Sequence, residues 1–567
     1  MNTQEWPARP FIFAVIGALS AVGIHLLIDK IKPAHSHFDL KISIAAFIVA
    51  FSAVFAVTAH RHTLLRCILY ALIVALVTGA ICYWRLFIRW PDAFSFVALA
   101  VTIFVLTPFF QSSLQNSFRD YKALHHFAWG NLLVGGLAVL FMGLSFALAH
   151  LLASLFSLVG IDFIKTLLRE DLFVSLLLGT ALGAAVGVLR EHDAIVSSTQ
   201  SVVQSVFSLF VTPLALGLAG FIAVLPFTGL TPLWDSTRNT SATLFACAAF
   251  ALIVVNAVIR EDVAGQSRNR IVLIAARVLA ITIAPLAAVA VVAIKLRVEQ
   301  HGWTPDRLWA AVICALLLAY SLCYVIAAFT KVFPAFVRSA NLYLALMVCA
   351  LALMLATPLF DFGAVSTKDQ LNRLSEGVIS EDKLDLTAMA FDFGPTGREA
   401  LESLKSNASA QFATRIAGVL GAENRWQSVT VEAGKSNQNV KDKLKVSTPP
   451  WTVPEDLLKV LQRDTCKYDG YCHLYISDSR SQALVLDQLC YGNGQCQPRV
   501  NVYRLHKDRW QLENAGYANG LLEKDANSRG VYLEQLDLAA RAGKLELKPV
   551  ERMQLFIGDE PFGQVIE

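Results

Sequence analysis

Residues 271–329 read IVLIAARVLAITIAPLAAVAVVAIKLRVEQHGWTPDRLWAAVICALLLAYSLCYVIAAF. Two apolar runs, 271–294 and 307–329, flank a short polar joint. A bilayer core of about 30 Å is crossed by about 20 predominantly apolar helical residues. Each run meets that length, so the stretch reads as two antiparallel membrane-spanning helices. The joint, Arg297 to Arg307, has a full structural reading. Gly302 ends the incoming helix, Thr304 caps the next, and Pro305 takes its first position. Asp306 suits a helix start, and Trp303 suits the headgroup level.

The same ruler, moved outward, finds eleven segments: 11–28, 42–59, 64–84, 94–110, 130–158, 172–189, 201–225, 241–258, 271–294, 307–329 and 339–359. The fifth is too long to cross upright, so it tilts or continues along the interface. Composition agrees. Of 567 residues 55% are hydrophobic and only 16% charged, against about 25% charged in a soluble domain. Mean hydropathy is +0.52. An ordinary cytosolic enzyme and a disordered chain are excluded, and a net charge of +4 without a basic block argues against a nucleic-acid partner. Arg9 precedes an apolar stretch longer than the usual signal core of about 7–15 residues, which predicts an uncleaved first span.

Near residue 360 the composition changes once. The expected fold is therefore an all-α polytopic membrane bundle of about eleven helices followed by a smaller soluble α+β domain. The expected divisions are 1–360 for the spans, 361–433 for a helical start of the tail, 434–450 for a polar linker, and 451–567 for a β-rich domain. Alternating runs at 473–477, 483–489, 499–505, 510–512, 544–549 and 554–557 predict strands, and Gly-Asn-Gly at 492–494 predicts a hairpin turn.

Lysine and arginine divide evenly between alternate loops, so the positive-inside rule casts no vote on orientation. Cysteine does. Cys466, Cys472, Cys490 and Cys496 form two C-x5-C pairs on polar sequence, which reads as two disulfides in an oxidising compartment. The competing reading is a four-thiolate zinc site, but structural zinc ligands usually sit about two to four residues apart within a pair. Pairing within each loop is simplest, although sequence leaves all three connectivities open. With an odd number of spans, an outside tail puts the amino terminus in the cytoplasm. The six other cysteines lie within spans and read as apolar fillers.

Ionisable and amide groups at membrane depth are functional candidates because they are costly there. His25, His150, Asn256 and Arg277 are those candidates, with His25 four residues before Asp29. Snorkelling of Arg277 and neutral, hydrogen-bonded histidines are the bland alternatives. No Asp or Glu falls well inside a span, which weakens an ion-coupled carrier. Pro213, Pro226 and Pro285 read as kinks, and Gly179, Gly183 and Gly187 as a smooth packing stripe. A charged string recurs at span ends, at 168–171, 189–193 and 259–262, and reads as solvated interface.

The 297–307 joint also resembles that of a bacterial membrane family, the domain-of-unknown-function 4153 family, whose joint runs Arg-x-x-x-Tyr-Gly-Leu-Thr-Pro-x-Arg. Arg297, Gly302, Thr304, Pro305 and Arg307 match, while His301 and Trp303 replace Tyr and Leu. Phe210–Leu214 and Ala284-Pro285-Leu286 are similar too. So are Leu374, Gly377, Phe391-Asp392-Phe393-Gly394 and Gly397-x-x-Ala400-Leu401. The resemblance implies an inner-membrane protein of unknown activity and transfers no catalytic residue. In the tail, Ile476-Ser477-Asp478 and the strands after it resemble a propeller-type repeat. Its turn, 478–482, offers one carboxylate, too few for calcium.

No G-x-S-x-G, H-E-x-x-H, P-loop or dinucleotide motif occurs, so no catalytic residue and no cofactor or metal is assigned. The leading expectation is a non-enzymatic anchor in the bacterial inner membrane, amino terminus cytoplasmic, whose periplasmic tail binds an envelope partner. A transporter or channel is the second reading. An enzyme on a lipid-linked substrate, with Lys295, Arg297 and Arg307 as phosphate ligands, is the third.

Overall fold

The computed structural model describes residues 6–28, 38–88, 92–115, 117–229, 240–422, 424–428, 444–446, 453–464, 472–476, 481–490, 496–506, 509–517, 553–557 and 560–566. Within them, eleven helical stretches are long and apolar enough to cross a membrane. They are α1 (Arg9–Ile28), α2 (Phe38–Thr58), α3 (Leu64–Phe87), α4 (Ala93–Gln115), α5 (Tyr121–Leu158), and, after the short α6 (Phe163–Leu167), α7 (Asp171–Glu191). A crossing shared by α8 (Asp193–Leu209) and α9 (Val211–Thr228) follows, then α10 (Thr240–Ile259), α11 (Arg270–His301), α12 (Pro305–Ala328) and α13 (Phe333–Ala356). The molecule is a helical membrane bundle.

Proline explains the shared crossing. Pro213 has no amide hydrogen and fits the first turn of α9, so the chain breaks one turn earlier, at Phe210. Pro226 and Pro285 lie inside α9 and α11, which run on through them.

In a bilayer the lipid tails are as apolar as leucine, so spans associate by close packing rather than by escape from water. The buried positions are accordingly small. On α11, the most enclosed span at 56% buried, they include Ala275, Ala276, Ala280, Ala287 and Ala290. α11 centres a core built from α9 to α13, through Val211, Val254, Leu279, Ile283, Leu317 and Val337. A second core joins α1, α2, α3, α5, α7 and α8 through Phe13, Val54, Val74, Val134, Ala185 and Val196. The glycine stripe of α7 seats α1: a Cβ at Gly179, Gly183 or Gly187 would meet main-chain atoms of Gly17, Phe13 or Pro10.

The first compact unit runs from Met1 to Ser403 and the second from Leu404 to Glu567. The division therefore falls later than the change of composition at 360. α14 (Phe362–Ser375), α15 (Leu386–Phe391) and most of α16 (Gly394–Asn407) belong with the spans. The reason is hydrogen bonding, described below, which composition does not reveal.

The second unit holds α17 (Ala410–Leu420), α18 (Glu455–Asp464) and a five-stranded sheet in the order β1-β2-β3-β4-β5. β1 (Leu444–Val446) is parallel to β2 (Cys472–Ile476). β3 (Gln482–Cys490), β4 (Cys496–His506) and β5 (Arg509–Tyr517) continue antiparallel. One sheet face buries Leu474, Ala483, Val485, Tyr503 and Trp510 against Leu457 and Leu461 of α18. β6 (Met553–Ile557) and β7 (Glu560–Ile566) pair separately. β1 lies inside the stretch read as a linker, where Leu444-Lys445-Val446 has just enough alternation to pair with β2. Most of the 434–450 linker and the 544–549 strand lie outside the described residues.

Candidate functional site

The last four carbonyls of an α-helix lack intrahelical partners and carry the negative end of its dipole. In this bundle arginines from other helices answer that need. Arg9 of α1, almost fully buried, donates to the carbonyls of Arg190 and, at 3.0 Å, Ala59, at the ends of α7 and α2, and it pairs with Glu191. Arg85 of α3, 2% exposed, donates to the carbonyls of Leu355, Ala356 and Thr357 at the end of α13. Arg338 of α13 donates to the carbonyls of Ile259, Arg260 and Asp262, closing α10. At none of these ends does the charge face lipid alone.

The 297–307 joint works the same way. Gly302 adopts φ +75°, which L side chains avoid, and a Cβ there would run into Gln370 and Asp369 of α14. Thr304 accepts from the amide of Arg307 at 3.4 Å, and Pro305 opens α12. The amide of Trp303 donates to Asp369 at 2.7 Å. Gln370 donates to the carbonyls of His301 and Trp303, and Arg373 to those of Glu299 and Gln300. Arg307 donates to the carbonyl of Gly302 at 2.6 Å. α14 is thus tied to the end of α11 by its own side chains. Arg297 also has a partner, and Lys295 forms an exposed pair with Glu299 at 3.6 Å. Lys295, Arg297 and Arg307, the phosphate ligands of the third reading, thus each have a contact within the protein.

Of the four polar candidates at membrane depth, one sits in a network. Asn256 of α10 donates to the hydroxyl of Tyr324 of α12 at 2.8 Å. That hydroxyl donates to Asn341 of α13 at 2.9 Å, and Asn341 donates back to Asn256 at 2.6 Å. The three side chains close a ring across three helices, and Tyr121 of α5 joins it through Asn341 at 3.3 Å. Beside it, buried His125 of α5 bonds Gln204 of α8 at 2.9 Å. On the exposed rim, Lys122 meets Asp262 at 2.7 Å. That hydrogen bond, then the Gly265 amide, holds the Asp262 carboxyl below its ordinary range.

The other three candidates stand apart. Arg277 lies over the ring of Phe333 at 5.4 Å. His150 is exposed on α5, edge-on to Phe146 at 4.6 Å. His25 is half-buried on α1, and Asp29 lies outside the described residues. Of the recurring charged strings, Glu191 is engaged by the Trp6 amide and Arg9. Among the described residues no group of three or more His, Cys, Asp and Glu comes together as a metal site.

In the second unit, Cys472 is buried on β2, and Cys490 and Cys496 are directly paired positions of β3 and β4. Cys466 and the side chains of Cys490 and Cys496 lie outside the described residues, as do the 492–494 turn and most of 478–482. Cys67, Cys82, Cys247, Cys314, Cys323 and Cys349 are free thiols within spans. The buried charge of this unit is Asp487, held by Arg499 at 2.8 and 3.1 Å and by Asn501 at 3.3 Å.

Tyr121, Tyr324, Asn341, Arg9, Arg85 and Arg338 are structurally decisive polar residues that the sequence reading does not place among its candidates. A signal for three of them was there: each arginine stands within two residues of a predicted span edge.

No curated protein matches the chain, and no solved structure does. A family model does, over residues 45–404, more than half of the chain. Its end falls one residue beyond the compact unit that closes at Ser403, so α14 to α16 are part of the same domain as the spans. The chain belongs to the family of multispanning membrane proteins described as domain of unknown function (DUF4153).

Proposed function

We propose that this protein is a non-enzymatic anchor of the bacterial inner membrane whose carboxy-terminal sheet domain binds a protein partner on the periplasmic side. One observation carries the reading: the polar side chains that link α10, α12 and α13 satisfy one another. Asn256, Tyr324 and Asn341 spend their hydrogen bonds on a closed ring, and Arg9, Arg85 and Arg338 spend theirs on helix ends. Such groups fix helices in place. A transport site instead keeps polar groups available to a solute.

The sheet supplies the presenting surface. Its second face carries Tyr475, Leu484, Leu486, Val500 and Val502, all half-buried in the second unit. The odd number of apolar helices among the described residues, eleven, supports termini on opposite sides, and the tail cysteines favour the oxidising side for the sheet.

The test begins with maleimide labelling of the tail cysteines in intact cells, with and without reduction. Labelling from outside only after reduction is the expected result; labelling that needs an opened inner membrane overturns the periplasmic assignment. A photo-crosslinking residue at Leu484 or Val502 should then give one discrete adduct, and one at Leu144 on the lipid-facing side of α5 should not. Equal, diffuse crosslinking at both positions overturns partner binding.

A further inference from the structure

α14 has two working faces. Asp369, Gln370 and Arg373 hold the helix-end carbonyls and amides of the 299–303 joint. The opposite face, with Ala364, Thr367, Lys368 and Leu371, forms one wall of an open groove of about 370 Å³. Thr396, Glu399 and Ala400 of α16 form the other wall.

Its level is set by α14 itself. Phe362, at the start of α14, packs edge-on to Trp309 of α12 at 5.2 Å, and the Trp309 indole donates to Asp92, just before α4. Trp309 lies in the first two turns of α12 and Asp92 just before α4, so both stand at span ends, the level of the headgroup layer. A helix is about 10–12 Å across with its side chains, so a groove on the far face of α14 lies within reach of lipid headgroups.

The walls carry opposite charge. Lys368 and Glu399 are both exposed, and no ion pair joins them among the described residues. Thr367 between them is 3% exposed, and its hydroxyl has no hydrogen-bond partner. A buried hydroxyl without a partner is unfavourable, and an acceptor arriving at this wall relieves it. Ala364, Leu371 and Ala400 add apolar surface.

We propose that the α14–α16 groove binds a phosphate–ammonium zwitterion, the phosphoethanolamine headgroup of a bilayer phospholipid. The phosphate lies against Lys368 and the Thr367 hydroxyl, and the ammonium lies against Glu399. An anionic glycerol headgroup satisfies Lys368 but brings no cation for Glu399, so the groove discriminates by charge pattern. This site is independent of the anchoring role and of the sheet domain.

The experiment uses the full chain, reconstituted in nanodiscs of equimolar phosphatidylethanolamine and phosphatidylglycerol, with retained lipid quantified by mass spectrometry after repurification in detergent. The wild type should retain phosphatidylethanolamine about tenfold over phosphatidylglycerol, the scale of one charge-assisted hydrogen bond. Lys368→Gln should remove most retention of both lipids, and Glu399→Gln should equalise them. Both residues are exposed, so an unchanged elution profile is expected and checks the fold. Equal retention of the two lipids by the wild type, or unchanged retention in both variants, overturns the site. Soluble glycerophosphoethanolamine provides the second arm: displacement of lipid at millimolar concentration supports the headgroup as ligand. If it binds while neither lipid is retained, the lipid source is overturned.

Discussion

The guanidinium of Arg85 donates to the carbonyl oxygen of Leu355 across 2.8 Å, tying the third span to the end of the eleventh. Ala356 and Thr357 receive two further bonds at 3.0 and 2.7 Å. Three otherwise orphaned carbonyls are thereby satisfied by one side chain, and the positive charge meets the negative end of a helix dipole.

Arg85→Leu should therefore be strongly destabilising, by about 3 kcal/mol or more, because charge-assisted bonds are lost and buried carbonyls are left unpaired. Arg85→Lys keeps the charge but not the planar fork, and should recover only part of the loss. The folded fraction surviving a heating series in detergent, read by gel filtration, measures both. A Leu variant as heat-resistant as the wild type would show that the α13 carbonyls find other partners.

The Asn256–Tyr324–Asn341 ring predicts coupling. Removing any member leaves the other two with unmet hydrogen bonds, so a second removal costs less than the first. Asn256→Ala and Asn341→Ala should show a coupling energy of about 0.5–2 kcal/mol in a double-mutant cycle. Tyr324→Phe should weaken the fold without changing its shape. Strict additivity between the two alanine variants would mean that the ring acts as separate contacts.

The spans were legible because lipid tolerates a simple code: apolar length is enough. The edges were less so, for a reason Arg85 and Arg338 make plain. The third segment was expected to end at 84 and the eleventh to begin at 339, each one residue short of an arginine. A hydropathy window treats charge as the boundary of a helix, whereas here the charge belongs to the helix and completes a neighbour. α5 shows the same effect. It starts at Tyr121 rather than near 130, because Lys122 and His125 find Asp262 and Gln204 on other segments. Asn256 was conspicuous as an amide in an apolar run, but its ring was not: a tyrosine in a span draws no attention, and Asn341 lies near a span edge. The extension of the first unit to Ser403 was hidden for a related reason. α14 is polar by composition, yet its polar groups serve the carbonyls of the 299–303 joint.

His60, in the turn between α2 and α3, predicts a pH dependence. Lost hydration, then the nearby cations of Arg190 and Arg9, hold its imidazole below the ordinary value of 6.5. With the folded pKa depressed, the unfolded chain binds the proton first. Stability is therefore flat above about pH 6.5 and falls as pH drops from there to the folded pKa. Diethylpyrocarbonate modification of His60, which requires the neutral ring, should persist to a lower pH than that of a free histidine. Arg190→Gln should move the midpoint upward. An unshifted midpoint in the wild type would remove the proposed influence of the two arginines.

The Asp487–Arg499 pair separates a structural charge from a dispensable one. Asp487 is fully buried on β3, and Arg499 on β4 reaches it with two nitrogens, at 2.8 and 3.1 Å. Taking one partner away strands the other charge in an apolar setting, so Asp487→Ala should cost about 3–5 kcal/mol. Replacing both partners with apolar side chains avoids that penalty, and Asp487→Leu combined with Arg499→Met should lie close to the wild type. Hydrogen exchange of the β3 and β4 amides in the full chain reads the difference directly. The single variant should lose protection across Ala483–Leu489 and the double variant should retain it. If both lose protection equally, the pair does more than balance charge: its geometry, with Asn501 at 3.3 Å, sets the register of the two strands.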